Sequence, residues 1–163
     1  MSELRGVIGV DNGLDGALCA VAPTGELLRY TRMPTCERNG KREIDVLGVL
    51  AWCNLVEGPF VFAPEEPLKH ARTSQAMRSM SISYGKLLAL ATLSGWDLAP
   101  VEVRDWQREM LGKKVPKGHT KIRALAAARE LVPEETWVPK GCRSPHDGVV
   151  DAYLIARYVA AKK

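Results

Sequence analysis

The sequence has no Cys-x-x-Cys pair: its four cysteines, Cys19, Cys36, Cys53 and Cys142, stand far apart. That spacing argues against a zinc site and against a disulfide framework, and leaves reduced thiols of a cytoplasmic chain as the expectation. Histidine is scarce, with three in the chain, so a metal centre built on imidazole or thiolate has little to draw on. No apolar run approaches the roughly 20 residues of a membrane span, and a membrane is not an expected partner. The chain enters a strand-like run almost at its start, so no secretory leader is expected. Charge of neither sign dominates: the net charge is +4, too mild by itself to specify a nucleic-acid partner.

With 163 residues, 46% hydrophobic and 26% charged, the composition is that of an ordinary globular chain, long enough for one domain over 1–163 and short for two. Its most informative stretch runs from Val7 to Val21. Val7, Ile8 and Val10 form an apolar run suited to a central strand covered on both faces. The run ends on Asp11. Asn12-Gly13 and Asp15-Gly16 then supply residues suited to a sharp reversal. A carboxylate where a strand leaves the core is costly unless a cation or hydrogen-bond donors compensate it. Asp11 therefore reads either as a metal ligand or as an ordinary turn aspartate.

Leu27 to Met33 reads as a third strand, making an antiparallel meander. Thr35 to Arg42 is polar, carries Asn39-Gly40 and reads as a loop. Ile44 to Val56 has a helical period, with Gly58-Pro59 as its stop. Phe60 to Ala63 is another short apolar strand, and it too runs into acids, Glu65 and Glu66, beside a basic loop carrying Lys69, His70 and Arg72. Thr73 or Ser74 caps the longest helix, which reaches Ser94 and stops at Gly95. Met77, Met80, Tyr84, Leu87, Leu88 and Ala91 make one apolar stripe on it, while Ile82 and Leu90 fall elsewhere. A helix apolar on more than one side is central or shared with a partner chain.

Pro100 to Val103 reads as a fifth strand, followed by a short helix over 105–111 and another over 122–131. Between Arg104 and Arg123 seven basic residues, Lys113, Lys114, Lys117 and Lys121 among them, face two acids. Such a patch suits either a phosphate backbone or a solvated loop. The last helix is expected to begin at Ser144-Pro145-His146-Asp147, with Ser144 as cap. Asp147 and Asp151, four apart, share one helix face. Acids thus fall at the end of the first strand, the end of the fourth and the start of the last helix. Carboxylate-only ligation favours hard cations such as Mg²⁺ or Mn²⁺, and two such ions can drive phosphodiester hydrolysis.

Taken together, Ile8-Gly9-Val10-Asp11-x-Gly13, the strand leading to Glu65-Glu66 and His146-Asp147-x-x-x-Asp151-Ala152-Tyr153-Leu154-Ile155-Ala156 resemble the RuvC-type Holliday junction resolvases. Trp106 to Gly112, followed by lysines, looks like the phage and bacterial members. The resemblance covers nearly the whole chain. It implies an α/β, RNase H-like fold: a five-stranded mixed sheet, with strands 1–3 as an antiparallel meander plus parallel strands, flanked by helices. It also implies a Mg²⁺-dependent crossover junction endodeoxyribonuclease of DNA recombination and repair. Such an enzyme acts in a bacterial or phage-infected cytoplasm as a homodimer through the helix 74–94. It would hold two Mg²⁺ per site, with Mn²⁺ able to substitute, and cut four-way DNA by paired nicks.

Residue by residue, the resemblance assigns Asp11, Glu65 (with Glu66 as the alternative), Asp147 and Asp151 as metal-holding acids. The usual paired aspartates are three apart; in this chain Gly148 occupies that place and Asp147 stands in. Lys113, Lys114, Lys117 and Lys121 are the expected phosphate contacts, with Lys69, His70 and Arg72 near the cut. Two rival readings use the same acids or the same fold: an RNase H-like nuclease acting on structured RNA, and a non-catalytic junction-binding protein.

Overall fold

The computed structural model describes residues 5–70 and 73–163. Arg72, one of the expected DNA contacts, lies outside them. Strand β1 (Gly6–Asp11) pairs antiparallel with β2 (Ala17–Val21), which pairs antiparallel with β3 (Leu27–Arg32). On its other side β1 pairs in parallel with β6 (Phe60–Pro64), and β6 with β7 (Asp97–Leu98). The sheet order is therefore β3-β2-β1-β6-β7, with β1 at its centre. This is the expected mixed five-stranded sheet.

Alternation along β1 divides the core. Ile8 and Val10 face one side with Leu18, Ala20 and Phe62, under α1 (Val46–Cys53) and α2 (Ser74–Leu93). Val7 faces the other with Ala17, Cys19, Val21 and Ala63, under α3 (Val103–Leu111), α4 (Thr120–Leu131) and α5 (Asp147–Ala160). Helix α5 is buried along most of its length and supplies nearly half of that second core. It lies directly on β1. A methyl group placed on Gly9 would fall onto the Ala152 carbonyl, the Ala156 amide and the Ala156 side chain, so only glycine lets helix and strand backbones approach this closely.

Three elements differ from the sequence-based expectations. Residues 35–42 are no loop: β4 (Thr35–Arg38) and β5 (Lys41–Ile44) form a separate two-stranded ribbon. Asn39 (φ 51°) and Gly40 (φ 71°) close it with the left-handed geometry a tight hairpin prefers. The ribbon lacks an apolar stripe because only Ile44 at its base is buried. The fifth strand is Asp97–Leu98 rather than 100–103; Val101 contributes only an isolated bridge to Glu65, and α3 starts at Val103. Finally, α5 starts at Asp147, not Ser144. The His146 amide donates to the Trp137 carbonyl at 2.9 Å, and His146 Nδ1 accepts from the Val149 amide at 3.3 Å. An imidazole therefore does the capping expected of a serine.

Replacing Gly9 with alanine is expected to cost about 3 kcal/mol of stability, because the clash is with backbone atoms that cannot turn aside. Urea unfolding midpoints of Gly9→Ala and wild type measure it, and an unchanged midpoint would contradict so close a backbone contact.

Candidate active site

The register of β1 and β6 builds the first half of the site. Val10 is opposite Pro64, and the Glu65 amide donates to the Val10 carbonyl at 2.9 Å. Asp11 and Glu65 thus leave neighbouring strand ends. Side chains alternate along a strand, so Asp11 shares the α5 face with Val7 and Gly9, and Glu65 shares it with Ala63. Glu66 leaves the opposite face, where its charge adds to burial in raising the proton affinity of Tyr84 in α2. Strand parity therefore places Glu65, not Glu66, beside Asp11.

Helix α5 brings the remaining acids. Asp151 immediately precedes Ala152, whose carbonyl covers Gly9, and so stands over the end of β1. Asp147 lies one turn nearer the helix start, more exposed, in an ion pair with Lys121 Nζ at 2.6 Å. The glycine between them has a packing reason. A Cβ on Gly148 would come within 2.8 Å of the Asp15 carbonyl oxygen and the Gly16 Cα. The Asp15-Gly16 turn thus leaves no room for a side chain three residues before Asp151, and the acid sits at 147 instead.

Two buried donors that the sequence reading did not single out hold Glu65. Trp106, fully buried in α3, donates its indole N–H to Glu65 Oε1 at 2.7 Å. Asn12, also fully buried, donates Nδ2–H to the Glu65 carbonyl at 2.8 Å. Its own Oδ1 has no hydrogen-bond partner among the described residues. Asp11 accepts from the Gly13 amide through Oδ1 at 3.3 Å.

These acids feel one another. Burial, then Asp11 and Asp151, push the Glu65 carboxyl up to about 8 against the pull of the Trp106 indole. Burial, then Asp11 and Asp147, push Asp151 up to about 7, with Lys121 opposing. Asp11 is raised as well, chiefly by burial; the Gly13 amide and His146 work the other way.

Among the described residues, no three His, Cys, Asp or Glu side chains are drawn together into a ready-made ion cage. The donor chemistry nonetheless fits a hard divalent cation. The set is all carboxylate oxygen, it is recessed and mutually repelling, and its lysine neighbour is engaged with the outermost acid. An unpartnered amide oxygen lies in the same turn as Asp11.

The basic residues divide. Lys121 is at the mouth of the acid cluster, and Lys113 and Lys114 line a concavity between α3 and α4 with His119 and Arg123. Lys117 is in the same loop. Lys69 and His70 are exposed on the Glu66 side, where Lys69 pairs with Glu102 at 3.7 Å.

No family model matches the sequence, and no curated protein matches it. Solved structures do. One is T. thermophilus RuvC in complex with a Holliday junction substrate, with a TM-score of 0.61 at 18% identity, covering 94% of this chain and 91% of that chain. The fold is that of RuvC. A second structure of Thermus thermophilus RuvC gives a TM-score of 0.56 at 17% identity, covering 94% of this chain and 92% of the other. At this identity the likeness is one of fold.

The raised carboxyls set the pH response of the metal-free protein. Their ordinary values are 4.5 for Glu65 and 3.8 for Asp151, against about 8 and about 7 when folded. Between these limits the folded state holds protons that the unfolded chain has released, so stability falls as pH rises. Thermal melts in chelator from pH 4 to 9 are expected to show that decline, and Asp151→Asn to flatten it. A flat wild-type profile would mean that Glu65 and Asp151 titrate in the folded protein as they do in the unfolded chain.

Proposed function

We propose that this chain is a divalent-metal-dependent endonuclease that resolves four-way DNA junctions by paired nicks, acting in a bacterial or phage-infected cytoplasm. The observation that carries the reading is that Asp11, Glu65 and Asp151 stand near one end of a RuvC-type sheet, close enough for the charge of one to raise the proton affinity of another. The solved relative holding a Holliday junction supports a branched DNA substrate.

Asp11, Glu65, Asp147 and Asp151 would hold Mg²⁺, in two ions per site, with Mn²⁺ able to replace it. The bound ions would supply an activated water and charge stabilisation at the leaving oxygen. The chain's own contribution is placement. Trp106 turns Glu65 toward Asp11, Asn12 ties the two strand ends together, and the Gly13 amide orients Asp11. Lys121 is ion-paired to Asp147 and can exchange that carboxylate for a DNA phosphate. Lys113, Lys114 and Lys117 offer further phosphate contacts on the α4 side, and Lys69 and His70 on the other, positioning the backbone without reading its sequence.

Paired nicks need two sites related by a two-fold axis, and α2 is the element offered for it. Its first half is little covered by the rest of the chain, and Ile82 and Leu93 stay 50% and 88% exposed. A homodimer through this helix would bury both and set two acid clusters symmetrically about a four-armed substrate.

A labelled four-way junction incubated with Mg²⁺, Mn²⁺ or chelator tests the activity: cutting is expected with either ion and none with chelator. Asp11→Asn is expected to abolish cutting while leaving junction binding intact or tighter, because it removes ligand charge. Cutting at the wild-type rate by that variant would overturn the assignment, and cleavage of structured RNA in preference to the junction would redirect it.

Trp106→Phe keeps the aromatic bulk and removes the donor to Glu65. Calorimetric titration with Mn²⁺ is expected to show affinity roughly 10- to 100-fold weaker, in the range of losses about a ligand's supporting shell. Unchanged affinity would mean that Glu65 needs no such support.

A further inference from the structure

The β4–β5 ribbon contributes nothing to the acid cluster, and the core does not explain it. Its outer residues Glu37, Arg38, Asn39, Gly40, Lys41 and Arg42 are exposed. A lone two-stranded ribbon is marginally stable in water. In this fold it is braced at two points. Arg42 spends all three guanidinium nitrogens at the ribbon's base: Nε–H to Thr35 Oγ1 at 3.2 Å, one amino group to Asp15 Oδ1 at 2.7 Å, the other to the Leu14 carbonyl at 2.8 Å. Leu14 and Asp15 belong to the turn that follows Asp11. On the other face, Glu43 is held between Arg38 at 2.6 Å and Lys86 of α2 at 2.8 Å. The ribbon is thus fixed with respect to the acid cluster.

Glu37 stands opposite Arg42 in the register, but one pair of charges works against the ribbon itself. Arg38 and Lys41 are directly opposite in the register, so their side chains leave the same face as a like-charged cross-strand pair, an arrangement that destabilises a hairpin. Glu43 engages Arg38 only through Nε, and the Arg38 side chain stays 73% exposed. Arg78 of α2 lines the groove beneath the ribbon together with Lys41 and Lys86. Repelling cations on a braced, exposed ribbon match a polyanion.

Position narrows the choice. The ribbon stands on the α2 side of the sheet, whereas Lys113 to Lys121 stand with the acids on the α3–α4 side, and the Leu14-Asp15 turn that Arg42 holds joins the two at the strand ends. A nucleic acid strand crossing the acids toward Lys121 leaves the site on the side where the ribbon stands.

We propose that the β4–β5 ribbon is a second DNA-gripping element, on which Arg38 and Lys41 seat the phosphate backbone of a duplex arm on the α2 side of the cleavage centre. A two-stranded ribbon has the width to lie along a DNA groove, and contacts to phosphate make the grip independent of sequence. The inference rests on the nuclease reading and adds to it a surface and its occupant.

Lys41→Glu provides the test, because folding and binding are expected to move in opposite senses. Opposite Arg38 the new carboxylate makes a favourable cross-strand pair, so the melting temperature should hold or rise. Affinity for a fluorescent four-way junction, measured in chelator from about 50 to 200 mM KCl, should fall for every arm sequence tried. The slope of log affinity against log salt should shrink by about 1. Lys163→Glu, at the far end of α5, makes the same charge change away from the ribbon and should leave the slope as it is.

Equal losses in the two variants, or an unchanged slope in Lys41→Glu, would overturn the ribbon's role while the nuclease reading stands. Failure of the wild-type protein to bind the junction at all would overturn both. Arg38→Ala repeats the measurement on the partner residue and should reproduce the loss of slope.

Discussion

Everything in this fold hangs on the contact between α5 and the middle of β1. With no side chain at Gly9, the helix sits against the strand at backbone distance, and Ala152 and Ala156 are the residues that touch it. That close approach sets the height and angle of the helix over the sheet. Because alternation puts Gly9 and Asp11 on the same face, it also fixes where Asp151 stands relative to the strand end. The packing that makes the core and the geometry that makes the site are therefore one constraint. A looser helix would cost burial of Val149, Tyr153 and Ile155 and would separate the acids together.

What could be read from the residues followed from strong, local signals. The apolar runs of 7–21 with the glycines between them pointed to the hairpin, and Thr73 and Gly95 bracketed the long helix, seen as Ser74–Leu93 with Thr73 Oγ1 as its cap. What could not be read depended on contacts distant in sequence. The ribbon at 35–44 carries no hydrophobic period because its stability comes from Asp15, Leu14 and Lys86, not from a buried stripe. The choice between Glu65 and Glu66 needed the parity of β6 against α5, which no count along the sequence supplies. Trp106 stands out in the sequence only as the start of the segment that looks like the phage and bacterial members, and its role rests on an indole hydrogen bond to a residue 41 positions away. Asn12 reads as a turn residue, yet it is fully buried.

The electrostatics of the site oppose the stability of the fold that carries it. Burial, and then neighbouring acids, raise the proton affinity of three recessed carboxyls, so as pH rises past neutral the protein without ions gains buried charge that its hydrophobic layers must outweigh. Lys121 pairs with the outermost acid and offsets only part of the rise at Asp151. A cluster of this kind has little value as a scaffold, because apolar residues of similar size would pack as well without the repulsion. Its presence is best explained by a positively charged guest, which turns the same repulsion into affinity.

The acids are not held alike, and the difference bears on how such a guest would be received. Glu65 is fixed at both ends, its carboxylate by Trp106 and its carbonyl by Asn12. Asp11 is steadied by the Gly13 amide. Both belong to neighbouring strands whose backbones are joined at Glu65 and Val10. Asp151 is placed by its helix, and Asp147 is shared with a lysine. The sheet thus presents a pair of carboxylates steadied by hydrogen bonds, while the helix presents one recessed acid and one ion-paired to Lys121. An ion entering between them would find its first two ligands already aimed, and would draw in the others without disturbing the core.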